Sequence, residues 1–183
     1  MLYDRDIREP LFWFLETIYI KVRFFEEKNI GRSRADIFFA TEDALYGVEI
    51  KSDADSYARL QRQVKDYDRF FDYNYAVVGA SHGKHVTEHI PEHWGVIVCF
   101  PEDDDVGFEV MRKPKPNPKL DMKKKMSILW RRELDAVRDK CLKYKYSKMS
   151  KAQLSKKIIE NCEEEKLNRL ITEELFNRDY TTI

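Results

Sequence analysis

The stretch from Ala35 to Lys51, ADIFFATEDALYGVEIK, constrains this chain most. Two short segments, Ala35–Thr41 and Ala44–Lys51, are rich in Ile, Val, Phe and Tyr and break at Glu42-Asp43, the pattern of a β-hairpin. A turn centred on Glu42-Asp43, or a four-residue loop from Thr41 to Ala44, sets Asp36 opposite Glu49 with Cβ atoms roughly 5 Å apart. Residues two apart on a strand share a face, so Lys51 joins Glu49. The other face carries Ile37, Phe39, Tyr46, Val48 and Ile50, an apolar surface that belongs in a core. Two carboxylates and an ammonium therefore meet on one side of the sheet. Facing carboxylates repel unless a proton or a cation lies between them. A hard divalent ion with oxygen ligands suits that geometry. A solvent-facing hairpin with an ordinary cross-strand ion pair is the plainer alternative.

Beyond the hairpin, Ser52, Asp53, Asp55 and Ser56 offer N-caps, and Tyr57, Leu60, Val64, Tyr67 and Phe71 recur at helical spacing. Gln63 stands one turn before Tyr67, so both reach the same spot. Asp36, Glu49-Ile50-Lys51 and Gln63-x-x-x-Tyr67 together resemble the PD-(D/E)XK nuclease superfamily, in its RecB-type variant with a QxxxY helix. The resemblance covers Asp6 to Phe100, and Ala35 stands where the signature has Pro. It implies a restriction-endonuclease-like α/β fold with an αβββαβ core and a mixed central sheet. It also implies a metal-dependent DNA nuclease working in DNA repair, restriction or defence. In that scheme Asp36, Glu49 and the Ile50 carbonyl hold Mg²⁺ or Mn²⁺. Lys51 orients the attacking water or steadies the developing charge, and Gln63 and Tyr67 fix Lys51 or the phosphate. Many members of the superfamily add an acid from the first helix. Glu9 and Glu16 are the candidates here, with Glu9 preferred. A non-catalytic or weakly active DNA-binding module on the same fold is the second reading.

The remaining elements follow from pattern. Asp6-Ile-Arg-Glu9 reads as a capping box, with Ile7, Leu11, Phe14, Leu15 and Ile18 on a helical stripe and Pro10 confined to the first turn. Val22–Glu26 reads as a strand, and Lys28–Arg34 as a loop turning on Gly31 whose Arg32 and Arg34 flank Asp36. Tyr75–Gly79, Trp94–Phe100 and Gly107–Met111 read as later strands. All four histidines fall between His82 and His93, and His85-Val-Thr-Glu88-His89 matches the HxxEH arrangement of zinc peptidases. Gly83 and Pro91 leave that motif only a short helix and no third ligand stands out, so zinc catalysis is a remote alternative. His82 is a loop candidate for the nuclease cleft.

Net charge is zero but unevenly spread: residues 112–157 carry 17 Lys+Arg against 4 Asp+Glu. A block of that sign is a footprint for an anionic partner such as DNA, with Lys123–Lys125 and the loop Lys143–Lys151 as its centres. The prolines of Arg112–Pro118 set a boundary, giving a nuclease-like domain over 1–112, a Pro/Lys-rich linker over 113–126 and a basic helical module over 127–183. Its expected helices are Ser127–Leu142, Lys151–Cys162 and Glu164–Asn177. Cys99, Cys141 and Cys162 show no CxxC spacing and read as reduced packing thiols of a cytoplasmic protein. The apolar run Leu11–Ile20 is too short to span a bilayer, so no membrane partner is expected. Pairing with a second copy of the chain, as a homodimer, stays open.

Overall fold

The computed structural model describes residues 2–52, 56–81, 83, 85–103, 105–144, 146 and 148–180. Asp53 and Asp55, named as N-caps, and His82 and Lys145 lie outside the described residues. Helix α1 (Asp4–Ile18) is followed by β1 (Arg23–Ile30), β2 (Ser33–Ala40), β3 (Leu45–Lys51), α2 (Leu60–Tyr67) and β4 (Tyr73–Gly79). That is the expected αβββαβ order. Strands β5 (Gly95–Glu102) and β6 (Asp105–Arg112) extend the sheet. Four helices close the chain: α3 (Met122–Ser127), α4 (Arg131–Cys141), α5 (Lys151–Asn161) and α6 (Glu164–Phe176). The six strands lie in sequence order, with β3, β4 and β5 parallel and the outer pairs antiparallel, so the sheet is mixed.

The hairpin takes the register that the sequence implies. Ile37 pairs with Val48, Phe38 with Gly47, Phe39 with Tyr46 and Ala40 with Leu45, closed by Thr41 N–H on the Ala44 carbonyl at 3.0 Å. Thr41 Oγ1 accepts the Ala44 N–H at 3.1 Å, so a hydroxyl does the work that Gly or Asn does in a two-residue turn. Ile37, Phe39, Val48 and Ile50 pack under Ile7, Leu11 and Leu15 of α1. The opposite face of the sheet is covered by α2 and by α3–α6 in one continuous core running from Phe25, Phe38 and Phe71 to Leu134, Ile158 and Ile171.

Several expectations need correcting. Helix α1 begins two residues before Asp6: Asp6 is its third residue, and its carboxylate accepts the Tyr3 N–H at 3.0 Å. Pro10 therefore lies inside the helix, which continues because Ile7, Leu11 and Leu15 anchor both sides of the missing amide. The segment Lys28–Arg34 is no open loop. Strands β1 and β2 run to a two-residue turn at Gly31-Arg32, where Gly31 takes φ +60° and Ser33 pairs with Ile30. The first of the three expected C-terminal helices, Ser127–Leu142, starts only at Arg131 as α4, and the stretch read as linker contains most of the helix α3.

Residues 113–126 are strapped to the domain: Asn117 N–H reaches the Asp72 carbonyl and Lys115 N–H that of His93, both at 2.9 Å. The sequence boundary there thus separates two regions that share one core. Cys141 and Cys162 form a disulfide with Cα atoms 5.5 Å apart, joining the end of α4 to the end of α5, rather than two separate thiols. Cys99 is buried and free of any disulfide.

Lys125, placed by its sequence neighbours among phosphate-binding lysines, is fully buried. Its ammonium meets Asp72 Oδ2 and Asn168 Oδ1, and the same Asp72 oxygen accepts the Leu45 N–H at 2.7 Å. This lysine ties α3 and α6 to the start of β3. Breaking such a pair leaves a buried carboxylate without its cation, so Lys125→Ala is expected to cost about 3–5 kcal/mol in urea unfolding. Exposed Lys123→Ala should stay within about 0.5 kcal/mol of wild type. Equal small effects would show that the pair contributes nothing to the docking of α3.

Candidate active site

The geometry begins where strands β2 and β3 part. Their ladder ends at the Ile37–Val48 pair. On the other side of β2, Glu27 takes φ +52° and the β1 ladder skips the position opposite Asp36. The main chain of Asp36 is thus left to side chains. Tyr67 Oη accepts its N–H at 3.1 Å and donates to the Val48 carbonyl at 3.0 Å. Arg8 Nη1 donates to its carbonyl at 3.2 Å. The Asp36 carboxylate bridges the gap itself, with Oδ2 accepting the Ile50 N–H at 2.9 Å. Tyr67 lies fully buried, its ring against β3 where any Cβ at Gly47 would come within 2.7 Å of it.

Asp36, Glu49, Lys51 and Gln63 line one cavity of about 380 Å³. Glu49 is fully buried, and its Oε1 accepts from both Lys51 Nζ and Gln63 Nε2. Among the described residues its Oε2 has no hydrogen-bond partner, and neither has Gln63 Oε1. Burial pushes the Glu49 carboxyl up to about 7, with the Asp36 charge adding to the rise and Lys51 opposing it. Burial also raises Asp36, against the pull of the Ile50 N–H and Lys51. Two unpartnered buried oxygens beside two carboxylates of raised pKa leave acceptor positions open on the wall of a cavity whose rim is basic. The residues present fit a hard divalent cation. Ile50 reaches this cavity through its main chain, because its side chain packs with Ile37 and Val48 on the α1 side.

Tyr67 is a positioning residue that holds the two strands, and it does not line the cavity. Glu9 is a correction. It is exposed and borders a separate groove with Trp13, Phe14 and Phe108 at the β6 edge. Glu16 is exposed as well. The buried stripe of α1 is Ile7, Leu11 and Leu15, and Asp4 and Arg8, one turn apart and three residues before Ile7 and Leu11, reach the cavity instead. Arg32 and Arg34 lie on the cavity rim as expected, joined there by Arg59 and Arg62. Helical spacing alone could have found Arg59, four residues before Gln63. Asp66 fixes the arrangement, accepting the Ser33 hydroxyl at 2.6 Å and the Arg32 N–H at 3.2 Å, so α2 and the β1–β2 turn hold their arginines around one opening.

The HxxEH residues form no such centre. His85 and His89 flank a single 3₁₀ turn, Val86–Glu88, and the His89 ring packs 4.4 Å from that of Tyr57. Among the described residues no group of three or more His, Cys, Asp and Glu gathers in metal-binding proximity. Much of the basic block is internally matched: Arg138 with Asp135 and Asp139, Lys140 with Glu173 and Glu174, and Lys151 on the carbonyls of Ser127 and Leu129. Lys123, Lys143 and Lys148 remain exposed.

A family model described as bacteriophage P4 protein cII matches the chain over residues 19–182. The chain belongs to that family. No curated protein matches it. Among solved structures, that of Pyrococcus furiosus SfsA in complex with Ca²⁺ is similar at 16% identity and a TM-score of 0.34, covering 61% of each chain. The alignment thus spans about three fifths of that protein's length, and the fold assignment rests on the topology described above. In this cII-family chain no helix among the described residues is long and apolar enough to cross a membrane.

The raised Glu49 pKa has a consequence for stability. Between its ordinary 4.5 and about 7, the folded protein holds a proton that the unfolded chain has released. Stability of the metal-free protein therefore falls as pH rises through that window. A divalent cation competes with the same proton, so its affinity should climb over the same range. Thermal melts at stepped pH should show a declining wild-type Tm that flattens largely in Glu49→Gln. Parallel curves for the two proteins would place the titration elsewhere.

Proposed function

We propose that this chain is a metal-dependent deoxyribonuclease that hydrolyses phosphodiester bonds in DNA. The observation supporting this most strongly is the meeting of Asp36, Glu49 and Lys51 in one cavity where a buried Glu49 oxygen has no hydrogen-bond partner among the described residues. The resemblance of these residues, with Gln63 and Tyr67, to the PD-(D/E)XK signature points the same way. Asp36, Glu49 and the Ile50 main chain would hold Mg²⁺ or Mn²⁺. Such an ion, when bound, polarises a phosphate and makes a coordinated water acidic enough to attack. Lys51, held on Glu49 Oε1, stands where it can orient that water or balance charge growing on the phosphate. Gln63 keeps Glu49 in place from α2, and Tyr67 keeps β2 and β3 at the separation the carboxylates need. The four rim arginines suit the phosphates flanking the scissile one.

The same arginine rim would also serve a DNA-binding module that cleaves nothing. Turnover separates the two. Wild-type protein with Mg²⁺ or Mn²⁺ should cut at least one of single-stranded, duplex or branched DNA, and a chelator should abolish it. Lys51→Ala is expected to lower the rate by at least about 100-fold, with Mn²⁺ affinity by calorimetry largely retained. Asp36→Asn should lose both metal and cleavage. Binding of DNA without metal-stimulated cleavage of any of the three substrates would favour the non-catalytic module.

A further inference from the structure

Arg8 is held more tightly than a cation on a cavity wall needs to be. Its Nε donates to Asp4 Oδ2 at 2.8 Å, and its Nη1 donates to the Asp36 carbonyl at 3.2 Å and to Glu26 Oε2 at 3.4 Å. The side chain is only 17% exposed. With these anchors set, Nη2 stands 3.9 Å from Asp36 Oδ1, the oxygen of that carboxylate not engaged by the Ile50 N–H. A rigid positive charge therefore faces the Asp36 oxygen left for a metal ion.

We propose that Arg8 takes the place of a second cation in this site, so that one divalent ion works opposite a guanidinium fixed against Asp36. The proposal rests on the metal-dependent nuclease reading and adds the number of ions and the partner that completes them. Two-metal sites clamp a phosphate between ions roughly 3.5–4 Å apart, and each ion needs its own oxygen ligands. Here Asp4, the third carboxylate lining the cavity, is engaged by Arg8. Asp36 and Glu49 remain, enough for one ion. With Nε and Nη1 engaged, Nη2 is the nitrogen left to donate to a phosphate oxygen from the cavity wall. A phosphate lying between the ion and Arg8 would neutralise both. Without DNA, Arg8 opposes the ion across Asp36. With DNA, the phosphate links them, so metal and DNA should strengthen each other's binding.

The test uses the full chain, with Mn²⁺ titrated calorimetrically into wild type, Arg8→Gln and Arg8→Lys, and thermal melts of each without metal. Wild type should take one Mn²⁺ per chain. Arg8→Gln, relieved of the repulsion, should bind Mn²⁺ about threefold to tenfold tighter, while its affinity for duplex DNA in Ca²⁺ falls about tenfold. Arg8→Lys keeps the charge but loses the anchors that aim Nη2, so Mn²⁺ affinity should stay near wild type while DNA affinity falls. Two Mn²⁺ ions per wild-type chain would overturn the proposal. So would unchanged or weaker Mn²⁺ binding in Arg8→Gln, and a parallel drop in Tm would mark Arg8 as a brace for the Asp36 main chain. Should Arg8→Gln fail to fold, the wild-type stoichiometry and the Arg8→Lys pair decide. A wild type that takes up no Mn²⁺, with or without DNA, would remove the nuclease reading itself, a result distinct from the others.

Discussion

The separation of β2 from β3 beyond the Ile37–Val48 pair is the constraint on which the site depends. A regular ladder would have paired the main-chain groups of this region with one another and closed the gap. Instead Tyr67 Oη takes one group from each strand, and the Asp36 carboxylate takes the Ile50 N–H. Buried backbone groups must be satisfied somewhere, and here side chains do it. The result is a wedge-shaped opening with Asp36 on one lip and Glu49 on the other. Glycine at position 47 is part of the same device. Any side chain there would strike Phe71 and Tyr67, lifting α2 and drawing the tyrosine hydroxyl away from the strands.

What the wedge costs is electrostatic. Glu49 is buried with a near neighbour of the same sign, and its carboxyl holds a proton well above the ordinary range. Lys51 and Gln63 crowd onto one of its oxygens while the other goes without a donor. Packing alone would select an apolar residue at this position. A charged cluster kept where a hydrophobic one would fit better is the mark of a site shaped for something other than stability.

The hairpin register was legible because two signals agreed: a break at Glu42-Asp43 and an apolar set, Ile37, Phe39 and Val48, that a symmetric pairing brings to one face. A one-residue slip would have carried that set to the other face and driven Asp36 and Glu49 under α1, so few alternatives competed. Glu9 was misplaced because its position depends on the rotation of α1 about its axis, which is set by Ile7, Leu11 and Leu15 against a sheet not visible in sequence. The same rotation hid Asp4 and Arg8. Tyr67 was found by spacing, but its partners could not be, since they are main-chain groups released by local breaks in two ladders. The burial of Lys125 and the pairing of Cys141 with Cys162 depend on how α3–α6 fold back on the sheet, which no local pattern records.

That folding back also changes where an anionic partner would be recognised. In sequence, the excess of lysine and arginine over residues 112–157 draws attention to the C-terminal third of the chain. In the structure many of those cations are engaged within the fold, on carboxylates or on carbonyls at helix ends. Charge matched internally contributes little field at a distance. The cavity rim is the opposite case. Arg32, Arg59 and Arg62 are exposed around buried acids, and Arg34 makes a 3.4 Å contact with Glu27 in which both side chains are more than half exposed. Such an exposed pair holds its arginine weakly. The region before the basic block thus presents cations at the opening of the cavity, and the basic block uses many of its own to hold the helices in place.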